Sequence, residues 1–122
     1  MSKQMEMMKQ SMELLQTMEQ ALNHVHRKLK EGECEATYPI FGDVIESYSS
    51  IENAVNQLPK EWLLLKNTDL SKKLRRAFDR TVGYYESDHY AKIIEVMQFT
   101  LIPSFNRWKR ALDREFGRYL VS

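Results

Sequence analysis

Hydrophobic side chains recur every three or four residues along the last third of the chain, among polar and charged ones. They are Tyr90, Ile94, Met97, Leu101, Phe105, Trp108, Leu112, Phe116 and Tyr119. This period is typical of an amphipathic α-helix that buries one face. Pro103 removes one backbone hydrogen bond within the helix, but the stripe keeps its phase on both sides of it. The pattern therefore predicts one bent helix, whose N-cap is Ser87 or Asp88.

A similar stripe near the start of the chain predicts a first helix over about residues 4–31. Gly32 follows it and is suited to a left-handed C-cap, and Lys28 and Lys30 in the last turn suit the negative end of the helix dipole. The hydrophobic seam of this helix consists of Met8, Met12, Leu15, Met18, Leu22, Val25 and Leu29. Since four of these positions fall seven residues apart, the seam has the repeat of packed helices.

Two further helices are predicted in the middle of the chain. The second runs from Tyr38 to about residue 58, or starts several residues earlier with a kink at Pro39, and Pro59 ends it. The third begins at Thr68 or Asp69 and ends in the region 83–86. With few glycines and prolines and four amphipathic stripes, residues 1–122 are predicted to form one all-α domain.

The short connections near Gly32 and Ser87 predict an antiparallel four-helix bundle with up-down-up-down topology. Both tight turns then lie at the same end. The first and fourth helices would be about 42 and 50 Å long, against about 31 and 27 Å for the second and third. The two long helices are therefore expected to overhang at the other end.

Three groups of side chains converge at the overhanging end, and we take them as a candidate partner surface. Its members are Met5, Met8, Met12, Trp62, Leu64, Arg107, Arg110, Arg114 and Arg118. The flexible methionines and the Trp62–Leu65 segment suit either a docking surface or a core that fills the space between the long helices. The methionine face could be buried within one subunit or across a homodimer formed through the first helix.

Charge is distributed unevenly along the chain. Residues 1–59 carry five basic and nine acidic side chains, and residues 60–122 carry 13 and eight, which gives formal charges of −4 and +5. The positive half contains the arginines of the last helix and a second cluster, namely Lys72, Lys73, Arg75, Arg76 and Arg80. These cations could neutralise nucleic-acid phosphates, or form a solvated face paired with Asp113, Glu115 or the acidic first half.

Few residues in the sequence suggest metal binding or catalysis. His24 and His26 point about 200° apart on a helix, so they do not share a metal ion. Glu86 and His89 have the spacing of a di-metal bundle motif, but no second copy accompanies them. Cys34 is the only cysteine, and the nearby Glu33 and Glu35 should raise its pKa and blunt its reactivity. We therefore expect neither enzymatic activity nor a metal or other cofactor.

No secretory signal pattern and no long apolar run are visible, which favours a cytoplasmic protein without a membrane span. The sequences YPIFGDVI at 38–45 and LIPSFNRW at 101–108 resemble small uncharacterised all-helical proteins of Bacillus-type bacteria. The resemblance implies a cytoplasmic bacterial helical protein and no transferable activity. We therefore expect a non-enzymatic protein-protein interaction module, an adaptor or small regulatory subunit with an unidentified protein partner. Nucleic-acid binding through the basic stripes is the alternative.

Overall fold

The computed structural model describes residues 2–59, 61 and 68–120, and this part of the chain forms four helices and no strand. Helices α1, α2 and α3 comprise Lys3–Lys30, Cys34–Gln57 and Thr68–Glu86. The fourth helix is continuous and consists of α4 (Tyr90–Val96), a π-helical turn (Met97–Leu101) and α5 (Ile102–Leu120). The predicted all-α four-helix bundle is confirmed.

Two short turns of the same type close the bundle at one end. Gly32 has a φ of 85° and Asp88 a φ of 58°, so each ends the preceding helix in the left-handed conformation. At the first turn the amide of Glu33 donates to the Lys28 carbonyl at 3.0 Å, and at the second the amide of His89 donates to the Tyr84 carbonyl at 3.0 Å. This is the Schellman pattern of helix ends. The predicted cap at Gly32 is confirmed.

The predicted N-cap of the fourth helix is wrong, because His89 occupies that position and makes no side-chain capping hydrogen bond. Asp88 instead terminates α3, as a short polar side chain that tolerates a positive φ. The hydroxyl of Ser87 donates to the Gly83 carbonyl at 2.8 Å. Both residues therefore end the third helix and do not begin the fourth.

Helix α2 begins at Cys34, which is the earlier of the two starts that the sequence allows, with Pro39 inside the helix. The hydroxyl of Thr37 donates to the Cys34 carbonyl at 2.6 Å within the first turn. The helix ends as predicted before Pro59, because Leu58 is already extended with a ψ of 148°.

The core follows the predicted stripes. Every seam residue of α1 is buried except Met12, which is half-buried. Aromatic side chains fill the space between α2 and α3: Phe78 lies 5.7 Å from Phe41 and 5.2 Å from Tyr48, measured between ring centroids. Tyr48 also lies 5.2 Å from Trp108 on α5, so this cluster connects three helices.

The π-helical turn keeps the fourth helix in register with the core. Ile93, Met97, Leu101 and Phe105 are all buried and are spaced four residues apart. In a uniform α-helix three steps of four residues turn the buried face by about 120°. The amide of Ile102 donates to the Met97 carbonyl, so the turn holds one extra residue and removes this drift. The predicted continuity is confirmed, although the buried stripe begins at Ile93, and Tyr90 is 42% exposed.

Candidate functional site

The candidate partner surface divides into exposed, half-buried and buried members. Arg107, Arg110, Arg114 and Arg118 on α5 are all exposed. Met5 and Met12 are half-buried against the core, whereas Met8 is fully buried and packs within the chain. Trp62 and Leu64 lie outside the described residues. Of the described members, the arginines are therefore the side chains most accessible to a partner.

Only some of the α5 cations are paired with neighbouring carboxylates. Lys109 Nζ lies 2.8 Å from Asp113 Oδ2, and Arg118 Nη2 lies 3.9 Å from Glu115 Oε1. In the described part of the chain, no ion pair within 4.0 Å involves Arg107, Arg110 or Arg114, and none joins residues 2–59 to residues 68–120. Among the described residues, the charges of the basic half are thus not neutralised by ion pairs with the acidic half.

A shallow groove lies between α3 and the fourth helix, near the N-terminal end of the α5 arginines. Arg80 of α3 and Thr100 of the π-helical turn both line a cavity of about 70 Å³ in this groove. Because residues seven apart share a helix face, Lys73 continues the edge formed by Arg80, and Arg107 follows Thr100 on the other edge. Arg110, Arg114 and Arg118 lie farther along α5, at or past the level of Thr68 at the start of α3. Helices α3 and α5 pack together along this groove. Its edges are therefore basic on both sides.

Small buried side chains lie on both helices beneath these cations. Ala77 on α3 is 2% exposed and Ser104 on α5 is 8% exposed. On the outer faces of the two helices, Lys72, Arg76 and Arg110 are exposed and add charge beside the groove. We call the exposed cations of this face the basic surface: Lys72, Lys73, Arg76, Arg80, Arg107, Arg110, Arg114 and Arg118.

Phe99 is exposed at the edge of the same groove, a feature that the sequence analysis missed. Its side chain is 70% exposed, and it lines the cavity with Arg80 and Tyr84. The guanidinium carbon of Arg80 lies 6.0 Å from the centroid of the Tyr84 ring, and its Nε donates to the Tyr84 hydroxyl at 3.4 Å. The groove thus contains an apolar contact point beside cations.

The end of the bundle where the two tight turns lie contains a second and larger cavity. An open cleft of about 740 Å³ there is lined by apolar side chains including Leu29, Cys34 and Ile94. Burial, and then the charges of Glu35 and Asp88, raise the pKa of the Cys34 thiol. The predicted direction of the shift is confirmed, although burial contributes most. A protonated thiol is a poor nucleophile, so this cleft has no activated cysteine.

Each of the three histidines has different neighbours, and His24 Nδ1 lies 3.1 Å from Arg27 Nη2 on α1. His26 faces the fourth helix near Gln98, and burial together with the charge of Lys30 lowers its pKa. His89 Nδ1 lies 2.7 Å from the Ser87 hydroxyl in the second tight turn. Within residues 2–59, 61 and 68–120, no group of three or more His, Cys, Asp and Glu side chains could hold a metal ion.

None of the described helices combines the length and the apolar character that crossing a membrane requires. A family model described as a domain of unknown function (DUF8042) matches residues 6–111, from the first helix to the basic part of α5. Neither the search of curated proteins nor the search of solved structures found a match.

Proposed function

This chain belongs to the DUF8042 family, and we propose that it is a non-enzymatic interaction module that binds an acidic segment of a partner protein. The observation that carries the proposal is the basic surface. Its cations lie on two adjacent helices, beside the groove and farther along α5, and Arg107, Arg110 and Arg114 lack an ion-pair partner within the described residues.

Unpaired cations on one face attract a complementary acidic face. A single exposed ion pair contributes only about 0–1 kcal/mol, so one arginine would add little. Several cations acting together raise the association rate and select partners of opposite charge. At the tight-turn end, by contrast, Lys28 Nζ lies 3.3 Å from Glu31 Oε2 and 3.2 Å from Glu33 Oε2, so opposite charges there are already paired within the chain.

A protein partner agrees better with the whole molecule than a nucleic acid does. The formal net charge is only +1, whereas sequence-independent nucleic-acid binding depends on neutralising many phosphates. The arginines from Arg107 to Arg118 extend over about 16 Å of α5, which is three turns of a partner helix. We also propose that this module is cytoplasmic and acts as an adaptor or small regulatory subunit.

The proposal is tested by reversing the charge of two arginines in the basic surface. The full chain and the double variant Arg110→Glu/Arg114→Glu are used to capture proteins from bacterial cytosol, with half of each sample treated with nuclease. We expect a protein that survives nuclease treatment to be captured by the wild type and lost with the variant. Both side chains are exposed, so the melting temperature should change little.

A matched control keeps the same change in charge at the other end of the bundle. Arg27→Glu/Lys30→Glu alters two exposed cations in the last turn of α1 and should retain the partner. If Arg110→Glu/Arg114→Glu captures the partner as well as the wild type does, the basic surface is not the binding site. Partners that disappear on nuclease treatment, with affinity that falls steeply as salt rises, would favour nucleic-acid binding instead.

A further inference from the structure

We infer that Phe99 is the apolar anchor of the basic surface, and that the partner segment is an acidic amphipathic helix with a large apolar side chain that covers the phenyl ring. This inference rests on the proposed function and specifies its partner chemistry. It combines the exposure of Phe99, the π-helical turn that presents it, and the cations beside it.

The exposure of Phe99 is unusual for its residue type. A phenylalanine side chain normally contributes to the core, yet this one is 70% exposed in an ordered helix. Tyr38 and Tyr90 are the other large hydrophobic side chains that are exposed among the described residues, and they are only 41% and 42% exposed. Phe99 is therefore the described aromatic side chain with the most surface left for a partner to bury.

The π-helical turn explains why Phe99 points outward. Met97 and Leu101, at the two ends of the turn, are fully buried, so the residue midway between them faces away from the core. Pro103, four residues after Phe99, lacks the amide that a regular α-helix would use to bond the Phe99 carbonyl. π-helical turns occur often at functional sites, where one extra residue re-aims a side chain.

The neighbours of Phe99 give it the surroundings of a binding anchor. The small cavity beside it is lined by Arg80, Tyr84, Lys92 and Glu95, and Lys92 Nζ lies 3.9 Å from Glu95 Oε2. An aromatic ring with charged residues around it matches the arrangement of interface hot spots, in which a desolvated apolar centre is surrounded by a polar rim.

Charge and length together indicate an acidic helix as the occupant. Along the fourth helix, Phe99 and Arg118 are separated by about 28 Å, which is the length of five helical turns. A partner helix lying along the fourth helix could present carboxylates three or four residues apart to Arg107, Arg110 and Arg114 and an apolar residue to Phe99. The interface would thus combine charge complementarity with one buried aromatic contact.

The experiment is a selection of helical peptides of about 20 residues, displayed with randomised surface positions, on the immobilised full chain. We expect the enriched peptides to be acidic and to share one leucine or aromatic position. Phe99→Ala should weaken the binding of synthetic copies by about tenfold or more. Tyr90→Ala truncates another exposed aromatic side chain, which lines the tight-turn cleft and not the groove, and should leave their binding unchanged. Arg110→Glu/Arg114→Glu should abolish it.

The outcomes separate this inference from the proposed function. Acidic peptides without a shared apolar position, whose binding is the same with Phe99→Ala, would overturn the anchor and leave the basic surface in place. Enriched peptides that are not acidic, or that bind Arg110→Glu/Arg114→Glu normally, would overturn both. Tighter binding of single-stranded oligonucleotides than of any peptide, with loss on Phe99→Ala, would assign the ring to base stacking and also overturn the inference.

Discussion

Deletion of a single residue from the fourth helix tests whether the π-helical turn holds one residue more than a regular helix needs. We expect deletion of Phe99 to be tolerated when Pro103→Ala is also introduced, because the turn can then become α-helical. The substitution is included because a proline in the interior of a regular helix costs about 3 kcal/mol.

The geometry of the buried stripe determines how much the deletion of Phe99 changes the free energy of unfolding. Without Phe99, Ile93 and Phe105 are 11 residues apart and face within about 20° of each other in a regular helix. Both therefore remain in the core, and the deleted side chain was 70% exposed. Because little buried apolar area changes, the free energy of unfolding should stay within about 1 kcal/mol of that of Pro103→Ala alone.

Deletion of Arg110 in the same background is the matched control. Arg110 is also exposed, but it lies in regular helix, so its loss rotates the following residues by about 100°. Leu112 and Phe116, which are 6% and 0% exposed, would leave the core. At about 1.5–3 kcal/mol for each buried side chain, the loss is about 3–6 kcal/mol, a large part of the stability of a small domain.

The measurement is urea unfolding of the three variants, followed by far-ultraviolet circular dichroism. A large loss of stability from the Phe99 deletion, comparable to that from the Arg110 deletion, would refute the reasoning. It would show that the fourth helix depends on the π-helical turn for more than its register.

Three further predictions concern the core and its polar groups. Leu22→Asp places a charge at a position that is 1% exposed and should cost several kcal/mol, so an unchanged melting temperature would show that α1 is not packed as described. Thr37→Val leaves the Tyr85 hydroxyl, now 2.8 Å from the Thr37 hydroxyl, without this partner, and should cost about 1–3 kcal/mol in urea unfolding. Burial and the charge of Lys30 lower the pKa of His26 below its usual 6.5, so the folded state binds fewer protons than the unfolded state. The free energy of unfolding that His26 contributes is therefore present above pH 6.5 and is lost as the pH falls through the folded pKa. Urea unfolding at several pH values should show this decrease in the wild type and not in His26→Gln.

The helices and their topology could be predicted because hydrophobic periodicity and turn chemistry are local properties. The seven-residue spacing of the α1 seam and the glycine at position 32 are sufficient to place the first helix and its end. Two helix boundaries were harder to predict from the sequence. Pro39 is compatible with a first turn or with an interior position, and Asp88 suits a helix start as well as the left-handed helix end that it forms.

The candidate site depends on which helices pack against each other, and a single sequence does not specify these contacts. The exposure of the α5 arginines follows from the buried stripe on the opposite face, so it could be predicted. The position of Lys73 and Arg80 beside them depends on how α3 packs against α5. The exposure of Phe99 could not be predicted from hydrophobic periodicity, because this residue is not part of the buried stripe. The three successive spacings of four residues between Ile93 and Phe105 do, however, indicate an extra residue in that helix.

The short Schellman turns also have a consequence for the folding kinetics. Each joins two helices that pack against each other, so many native contacts connect residues that are near in sequence, and contact order is low. Two helical hairpins, α1–α2 and α3 with the fourth helix, can therefore form early and independently. The slower step is then their docking, in which the aromatic cluster around Phe78 and the packing of α1 against α5 bring distant parts of the chain together.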